Sequence, residues 1–262
     1  MSIITLTTDF GASSPYVAIM KGVILSINPS ATLVDVTHAV APQDVHKGAI
    51  VLDDVARHFP PNTVHVAVVD PGVGTDRAIL GARIEGHYFV APDNGVLSKL
   101  THRTPPKHLV RLTNPRYWLA EVSNTFHGRD IMAPVAAHLS LGVDLAELGE
   151  PYAQQFGIAW HQPTVSRNRV DGMVIDIDSF GNLITNIPLK LLTPYPSDER
   201  ACIVCHIYET YGIFSTYASR PTGTLVALIG SHGNLELAIV GENAADRLGI
   251  ETGQPVTVAW NL

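Results

Sequence analysis

The sequence has only two cysteines, Cys202 and Cys205, too few for a disulfide framework or for the four ligands at finger spacing that a structural zinc requires. Both fall in a β-like run, residues 201–207, where positions three apart face opposite sides of a sheet, so a bond between them is sterically awkward. Basic residues are also sparse: 17 Lys and Arg stand against 24 Asp and Glu, net −7, with no basic cluster. That argues against nucleic acid as a partner. No uninterrupted apolar stretch approaches the roughly 20 residues needed to cross a bilayer, and the N-terminus lacks the basic and apolar regions of a signal peptide. The expectation is a cytoplasmic chain with no membrane partner. Internal repeats and low-complexity segments are absent as well.

What the chain has is the composition of an ordinary globular interior, with 46% hydrophobic and 16% charged residues over 262 positions. The first half alternates between the two hydrophobic periods. Strand patterns at Ile3–Thr8, Thr32–Thr37 and 64–69 are interleaved with helical patterns at 15–27 and 44–59. A paired-strand pattern at 78–85 and 87–90 follows, then short helices at 96–100 and 131–139. Such alternation predicts a mostly parallel sheet covered on both faces. Beyond residue 165 helical patterns nearly vanish, apart from one near Ala244–Leu248. Short strand patterns at 170–178, 183–187, 201–208, 224–229, 235–240 and 256–260 read as a small antiparallel barrel or sandwich. The fold class expected is α/β: an N-terminal, mostly parallel α/β sandwich domain over 1–165, then a smaller antiparallel β-barrel-like domain over 166–262.

Chemistry concentrates in loops. In Val-Val-Asp70-Pro71-Gly72-Val73-Gly74-Thr75-Asp76-Arg77 a buried-strand pattern runs into a glycine-bearing turn, which puts Asp70 at the strand's carboxyl end, the edge of an α/β sheet where ligands bind. Arg77 follows closely enough for the turn to fold one side chain over the other. A surface Asp–Arg pair is the plainer reading. Two further loops share the construction: Asp9-Phe10-Gly11 ends the first strand pattern, and Phe126-His127-Gly128-Arg129-Asp130 precedes a helical one.

Those motifs, with Pro92-Asp93-Asn94-Gly95, Asp178-Ser179-Phe180-Gly181-Asn182 and Thr185-Asn186-Ile187, resemble in order the S-adenosyl-L-methionine (SAM) hydroxide adenosyltransferases, the SAM hydrolases related to the fluorinase and chlorinase. The resemblance implies cleavage of the bond between ribose C5′ and the sulfonium sulfur, giving adenosine and L-methionine. A sulfonium leaves as a neutral thioether, so the reaction calls for no acid at the leaving group, no metal and no cofactor, only a positioned oxygen nucleophile. It implies that Asp70, Arg77 and His127 activate that nucleophile. Arg77 would stabilise developing hydroxide, His127 would accept or relay a proton, and Asp70 would orient either or take the proton itself. An Asp held by an Arg suits the orienting role better than the basic one. By the same resemblance Asp9 takes the ribose hydroxyls, Phe180 and Asn182 lie near adenine, Asp178 pairs with the methionine ammonium, and Ser231 meets its carboxylate, next to His232 where the fluorinase has an arginine. Read as residues alone, Phe180 fits a core position equally well, and Asp178 and Asn182 fit turn positions closing a hairpin. The family further implies a homotrimer whose sites lie between subunits.

Departures from the halogenating relatives favour water over halide. Those enzymes have tyrosine where this chain has Asp70, a tryptophan near Gln43, a serine or glycine after an aromatic in place of His127-Gly128, and an extra loop near 83–86. A fixed anion would also repel halide, by about 4 kcal/mol at 4 Å in an intermediate dielectric. Other readings stay open from the residues: a non-catalytic SAM or adenosine binding module, a methyltransferase despite the missing Gly-x-Gly-x-Gly, or a metal phosphoesterase using Asp9, Asp70, His127 and Asp130 despite the missing ligand spacing. The other ten histidines share no spacing and are expected to be structural or solvated.

Overall fold

A computed structural model describes residues 2–153 and 155–260. The chain divides into two compact units, Met1–Ala159 and Trp160–Leu262. Among the described residues no helix is long and apolar enough to cross a membrane.

The first unit is built on a seven-stranded sheet: β1 (Ile3–Thr8), β2 (Thr32–Thr37), β3 (Val64–Val68), β4 (Ile79–Ile84), β5 (His87–Pro92), β6 (His108–Leu112) and β7 (Gly149–Pro151), in the order β2-β1-β3-β5-β4-β6-β7. The ladders β2-β1, β1-β3 and β3-β5 are parallel and the other three antiparallel. Strands β6 and β7, unread in the sequence, extend the antiparallel half. Period-two alternation sorts side chains onto two faces. Ile4, Leu6, Val64, Val66 and Val68 pack with helices α1 (Tyr16–Ile27) and α4 (Ala133–Ser140), whereas Ala67, Leu80, Ala82 and Phe89 pack with α2 (Val45–Ala56) and α3 (Ser98–Arg103). Helix α1 starts one residue after Pro15, which takes the cap position, and α2 starts behind Asp44, whose carboxylate accepts the Lys47 N–H. Strands β4 and β5 form a hairpin closed by Glu85-Gly86 alone, both at positive φ (49° and 86°), so the loop that marks the fluorinase has no counterpart here.

The histidines expected to be structural include one buried pair. His65 on β3 has Nδ1 2.8 Å from Thr5 Oγ1 and Nε2 3.3 Å from His87 Nδ1, and its ring stacks on Phe89 at 5.0 Å. Burial, with the His87 charge behind it, depresses its pKa to about 3.

The second unit is a nearly closed, barrel-like sheet of β8 (Thr164–Ser166), β9 (Arg169–Ile177), β10 (Leu183–Pro188), β11 (Ala201–Cys205), β12 (Tyr208–Tyr211), β13 (Ile213–Phe214), β14 (Leu225–Ile229), β15 (Asn234–Ile239) and β16 (Pro255–Trp260), with short helices α5 (Leu189–Leu192) and α6 (Ala244–Leu248). The path β12-β11-β16-β9-β10-β15-β14-β13 returns on itself, because β12 and β13 are one stretch of chain bent at Gly212, and the Thr210 hydroxyl donates to the Leu225 carbonyl on β14 (2.8 Å). The single strand expected over 201–208 is instead two. His206 adopts φ 56° and turns the chain, so Cys205 pairs with Tyr208. Cys205 is buried and Cys202 partly exposed, on opposite faces of β11.

Candidate active site

Strands β1 and β3 are parallel neighbours, with Thr8 beside Val68, so their carboxyl ends bring Asp9 and Asp70 to the same edge. A cavity of about 400 Å³ lies there, lined by Asp9, Phe10, Tyr16, Gln43, Asp70, Phe126 and His127 among others. Asp9 Oδ2 accepts the backbone N–H of Gln43 at 2.8 Å, and Gln43 holds a left-handed φ of 68° to present it. The rings of Phe10, Tyr16 and Phe126 meet edge to face with centroids 5.2–5.7 Å apart, forming an apolar wall.

Asp70, Arg77 and His127 interlock. Arg77 Nε donates to Asp70 Oδ1 at 2.9 Å and to Oδ2 at 3.1 Å, and Arg77 Nη2 donates to Asp70 Oδ2 as well. The same Nη2 lies 2.9 Å from His127 Nδ1. Since a guanidinium only donates, that imidazole nitrogen is the acceptor, and the ring is neutral with its proton on Nε2. The Asp70 and Arg77 side chains are 5% and 10% exposed, so the fork is withdrawn from solvent screening. Burial and the adjacent Arg77 charge lower the His127 pKa, against the opposing pull of Asp70 and Asp130. The turn carrying Arg77 depends on Gly74: at φ 80°, a Cβ there would lie 2.3 Å from the Asn124 carbonyl oxygen.

The His127 loop differs from its sequence reading. Residues 128–132 form one π-helical turn (Gly128–Met132) that leads into α4, so Gly128, Arg129 and Asp130 lie within the helical segment, with His127 at its cap. Glycine at 128 lets the turn pack closely, since a Cβ there would come within 3.1 Å of Val68 and 3.4 Å of Met20. Such π-turns are frequent at functional sites.

In the second unit Asp178, Phe180 and Asn182 occupy the β9–β10 turn, and the hairpin-closing reading of Asp178 and Asn182 holds. Asp178 Oδ1 accepts the N–H groups of Phe180 and Asn182, both at 2.9 Å, and Oδ2 accepts Asn182 Nδ2 at 3.0 Å. Phe180 is 75% exposed, so it is not core. Ser231 is exposed on a different turn, between β14 and β15. The structure thus gathers Asp9, Asp70, Arg77 and His127 around one cavity, and Asp178, Phe180 and Asn182 in one turn.

Several residues take roles here that their sequence motifs do not announce. Asn94 Nδ2, in the Pro92–Gly95 motif, donates to the Val69 carbonyl at 2.8 Å and so fixes the strand end that carries Asp70. Ser123 and Asp130 brace the His127 loop. Glu236 is 3% exposed, accepts the Tyr217 hydroxyl at 2.6 Å, and has its pKa raised by burial and by Asp178. No local spacing could have found it, since its partners lie in other strands and turns. The phosphoesterase reading loses its ligands: Asp70 is taken by Arg77, and Asp130 by Ser123 and Arg129.

Comparison with known proteins gives a consistent picture. Residues 4–149 match the SAM hydroxide adenosyltransferase N-terminal domain and residues 172–257 its C-terminal domain. The chain is 38% identical to an (R)-S-adenosyl-L-methionine hydrolase of Salinispora arenicola, with 97% of each chain covered, and 36% identical to one of Thermus thermophilus, covering 95% of this chain and 96% of that one. A fluorinase of Actinoplanes sp. is 30% identical over an alignment of 288 positions, covering 98% of this chain and 97% of the fluorinase. A crystal structure of an uncharacterised conserved protein from Thermotoga maritima superposes with a TM-score of 0.92 at 35% identity, covering 99% and 100% of the two chains.

Proposed function

The chain belongs to the SAM hydroxide adenosyltransferase family, and from that premise we propose how it acts: it hydrolyses S-adenosyl-L-methionine at ribose C5′, releasing adenosine and L-methionine. The observation that carries the reading is the interlocked Asp70, Arg77 and His127 beside a cavity that Asp9 also lines. The water oxygen attacks C5′, the C5′–S bonding pair passes to sulfur, and methionine leaves as a neutral thioether. One proton of the water must be lost. Asp70 on the cavity lining orients the water, the role its Arg77 fork suits, and also takes the proton, because the lone pair of the neutral His127, on Nδ1, is already occupied by Arg77. Arg77 holds positive charge where hydroxide character develops, and neutral His127 fixes the guanidinium from the other side. Asp9 takes the ribose hydroxyls, a carboxylate matching a cis-diol.

Halide is disfavoured as nucleophile. The repulsion from Asp70 is weaker than for a lone carboxylate, because Arg77 offsets it. The two-residue β4–β5 turn and the greater identity to hydrolases than to fluorinases carry more of the argument.

The first unit supplies the nucleoside-binding and catalytic groups. Asp178, Phe180, Asn182 and Ser231 of the second unit complete the site for the methionine end and the adenine, with the second unit contributed by a neighbouring copy in a cyclic homotrimer. The protein works in the cytoplasm on a small molecule, without cofactor or metal.

Purified protein incubated with SAM alone is expected to release adenosine and methionine at a rate unchanged by EDTA, and in oxygen-18 water the label is expected in adenosine only. Homoserine, or label in methionine, would mean that another bond breaks. SAM recovered intact would point to a binding module. For the assembly, Asp70→Ala and Asn182→Ala are unfolded and refolded together. Shared sites return a sizeable fraction of activity, and a sum no greater than the two separate variants, with mixing shown by mass spectrometry, places each site within one chain.

A further inference from the structure

We propose that Asp130, acting through Ser123, is the positioning residue that holds His127 against Arg77, an inference that rests on the hydrolase reading above. Asp130 is fully buried, an environment a carboxylate tolerates only when its oxygens are saturated by donors. Its Oδ2 accepts both the Ser123 N–H (2.8 Å) and the Ser123 hydroxyl (2.7 Å), while Arg129 Nε donates to Oδ1 (2.5 Å). The Ser123 hydroxyl oxygen in turn accepts the Phe126 N–H at 3.1 Å, and the Asp130 carbonyl accepts the Leu119 N–H at 2.9 Å. The stretch from 119 to 126 has no helix or strand of its own, so this carboxylate is the knot that closes it. Both ends of the catalytic pair lean on that knot. His127 is the next residue along the chain, and the Arg77 turn packs at Gly74 against the Asn124 carbonyl, one residue from Ser123.

A core carboxylate that only stabilises the fold predicts something different from a positioning one. The ionisable groups around the imidazole are Arg77 and Asp70 from the turn after β3, Asp130 from its own helical segment, and Asp9 and Tyr16 on the cavity lining. With the ring neutral, Nδ1 accepts from Arg77; once protonated it cannot, so activity falls as pH drops through the His127 pKa. Removing the Asp130 charge disfavours the imidazolium and moves that acid limb to lower pH.

The test uses full-length Asp130→Asn and Ser123→Ala. Expected are a kcat lower by about 10- to 100-fold in each, with KM for SAM within about twofold. The acid limb moves to lower pH in Asp130→Asn only, because Ser123→Ala keeps the carboxylate. Nitrogen-15 spectra of histidine-labelled protein, with His127 assigned by its disappearance in His127→Gln, are expected to show the Nε2–H tautomer in the wild type and a redistributed pair in both variants. Should Asp130→Asn fail to fold, Ser123→Ala, which removes one hydroxyl, decides alone through kcat and tautomer. Wild-type kcat in the folded variants, or a loss uniform across pH with His127 keeping its tautomer, overturns the proposal. If the wild type does not cleave SAM, the hydrolase reading fails, and the tautomer measurement still judges the positioning.

Discussion

Asp70 of the first unit and Asp178 of the second are held in opposite ways, with Asp9, which accepts the Gln43 backbone N–H, resembling Asp178 in this. In the first, Asp70 is bound by a side chain, and Arg77 binds a second side chain in turn, so three residues from two distant loops fix one another. In the second, Asp178 is bound mainly by the backbone of its own turn, at Phe180 and Asn182. The first arrangement pre-sets charge for a transition state, and its cost of organisation is met on folding. The second presents an exposed ring and a turn, which suits recognition. On the proposed roles, chemistry and recognition are expected to separate by mutation.

The sharpest break in the comparison is at Arg77. Arg77→Ala removes donors to both Asp70 and His127 while leaving Asp9 and the second unit untouched. kcat is expected to fall by about 100- to 1,000-fold with a small change in KM, measured by adenosine release. Arg77→Lys should recover little, since a single ammonium cannot reproduce a fork that reaches two oxygens and a ring nitrogen. Full activity in the Lys variant would mean that charge alone suffices.

Asp178→Ala should act on the fold as well as on the site. Three hydrogen bonds closing the β9–β10 turn are lost together, with a charged acceptor among the partners, so a loss of about 2–3 kcal/mol in unfolding free energy is expected alongside weaker SAM binding. Denaturant titration followed through Trp260 in the second unit's core reads it. An unchanged midpoint would show that the turn forms without its carboxylate.

One buried group in each unit links its stability to pH with opposite sign. His65 in the first unit has a folded pKa of about 3 against an ordinary 6.5, so the unfolded state binds the proton first. Its contribution is complete above pH 6.5 and lost as pH falls towards 3, on the order of 2 kcal/mol by pH 5. Glu236 in the second unit has its pKa raised by burial and by Asp178, so its contribution is complete below the ordinary glutamate range and lost as pH rises through the folded value. Hydrogen-exchange mass spectrometry across a pH series is expected to show the strands around His65 loosening towards the acid end and the β15 region loosening as pH rises. A uniform response would mean that other groups dominate.

How much was legible follows from how each feature is encoded. Strands β1, β2 and β3 carry their period within six residues, and Asp44 and Pro15 mark helix starts locally, so they read directly. Asp70 and Arg77 read because the turn between them is short. Strands β6 and β7, the last two on the antiparallel side of the sheet, are brief and half-exposed, with little period to find. The break at His206 was hidden because a non-glycine residue takes the left-handed conformation there. The bracing role of Asp130 and the burial of Glu236 are not legible for a different reason: each is defined by what surrounds it after folding, and neither spacing nor composition encodes a buried partner. Phe180 stood between core and ligand contact, and only exposure separates the two.

Phe180→Ala is the mildest test and the most discriminating for the second unit. The ring is 75% exposed, so truncating it removes little buried area and should change unfolding free energy by no more than about 0.5 kcal/mol. The backbone N–H that Asp178 uses survives in alanine, so the turn stays closed. What is lost is a flat apolar face, which adenine would use for stacking worth about 1 kcal/mol, the low end for a base on an aromatic ring. KM for SAM is therefore expected to rise about fivefold with kcat nearly unchanged, the reverse of the Arg77 pattern. Steady-state kinetics on the two variants side by side checks this. A fall in kcat with KM constant would move Phe180 from recognition to chemistry and erase the division between the units.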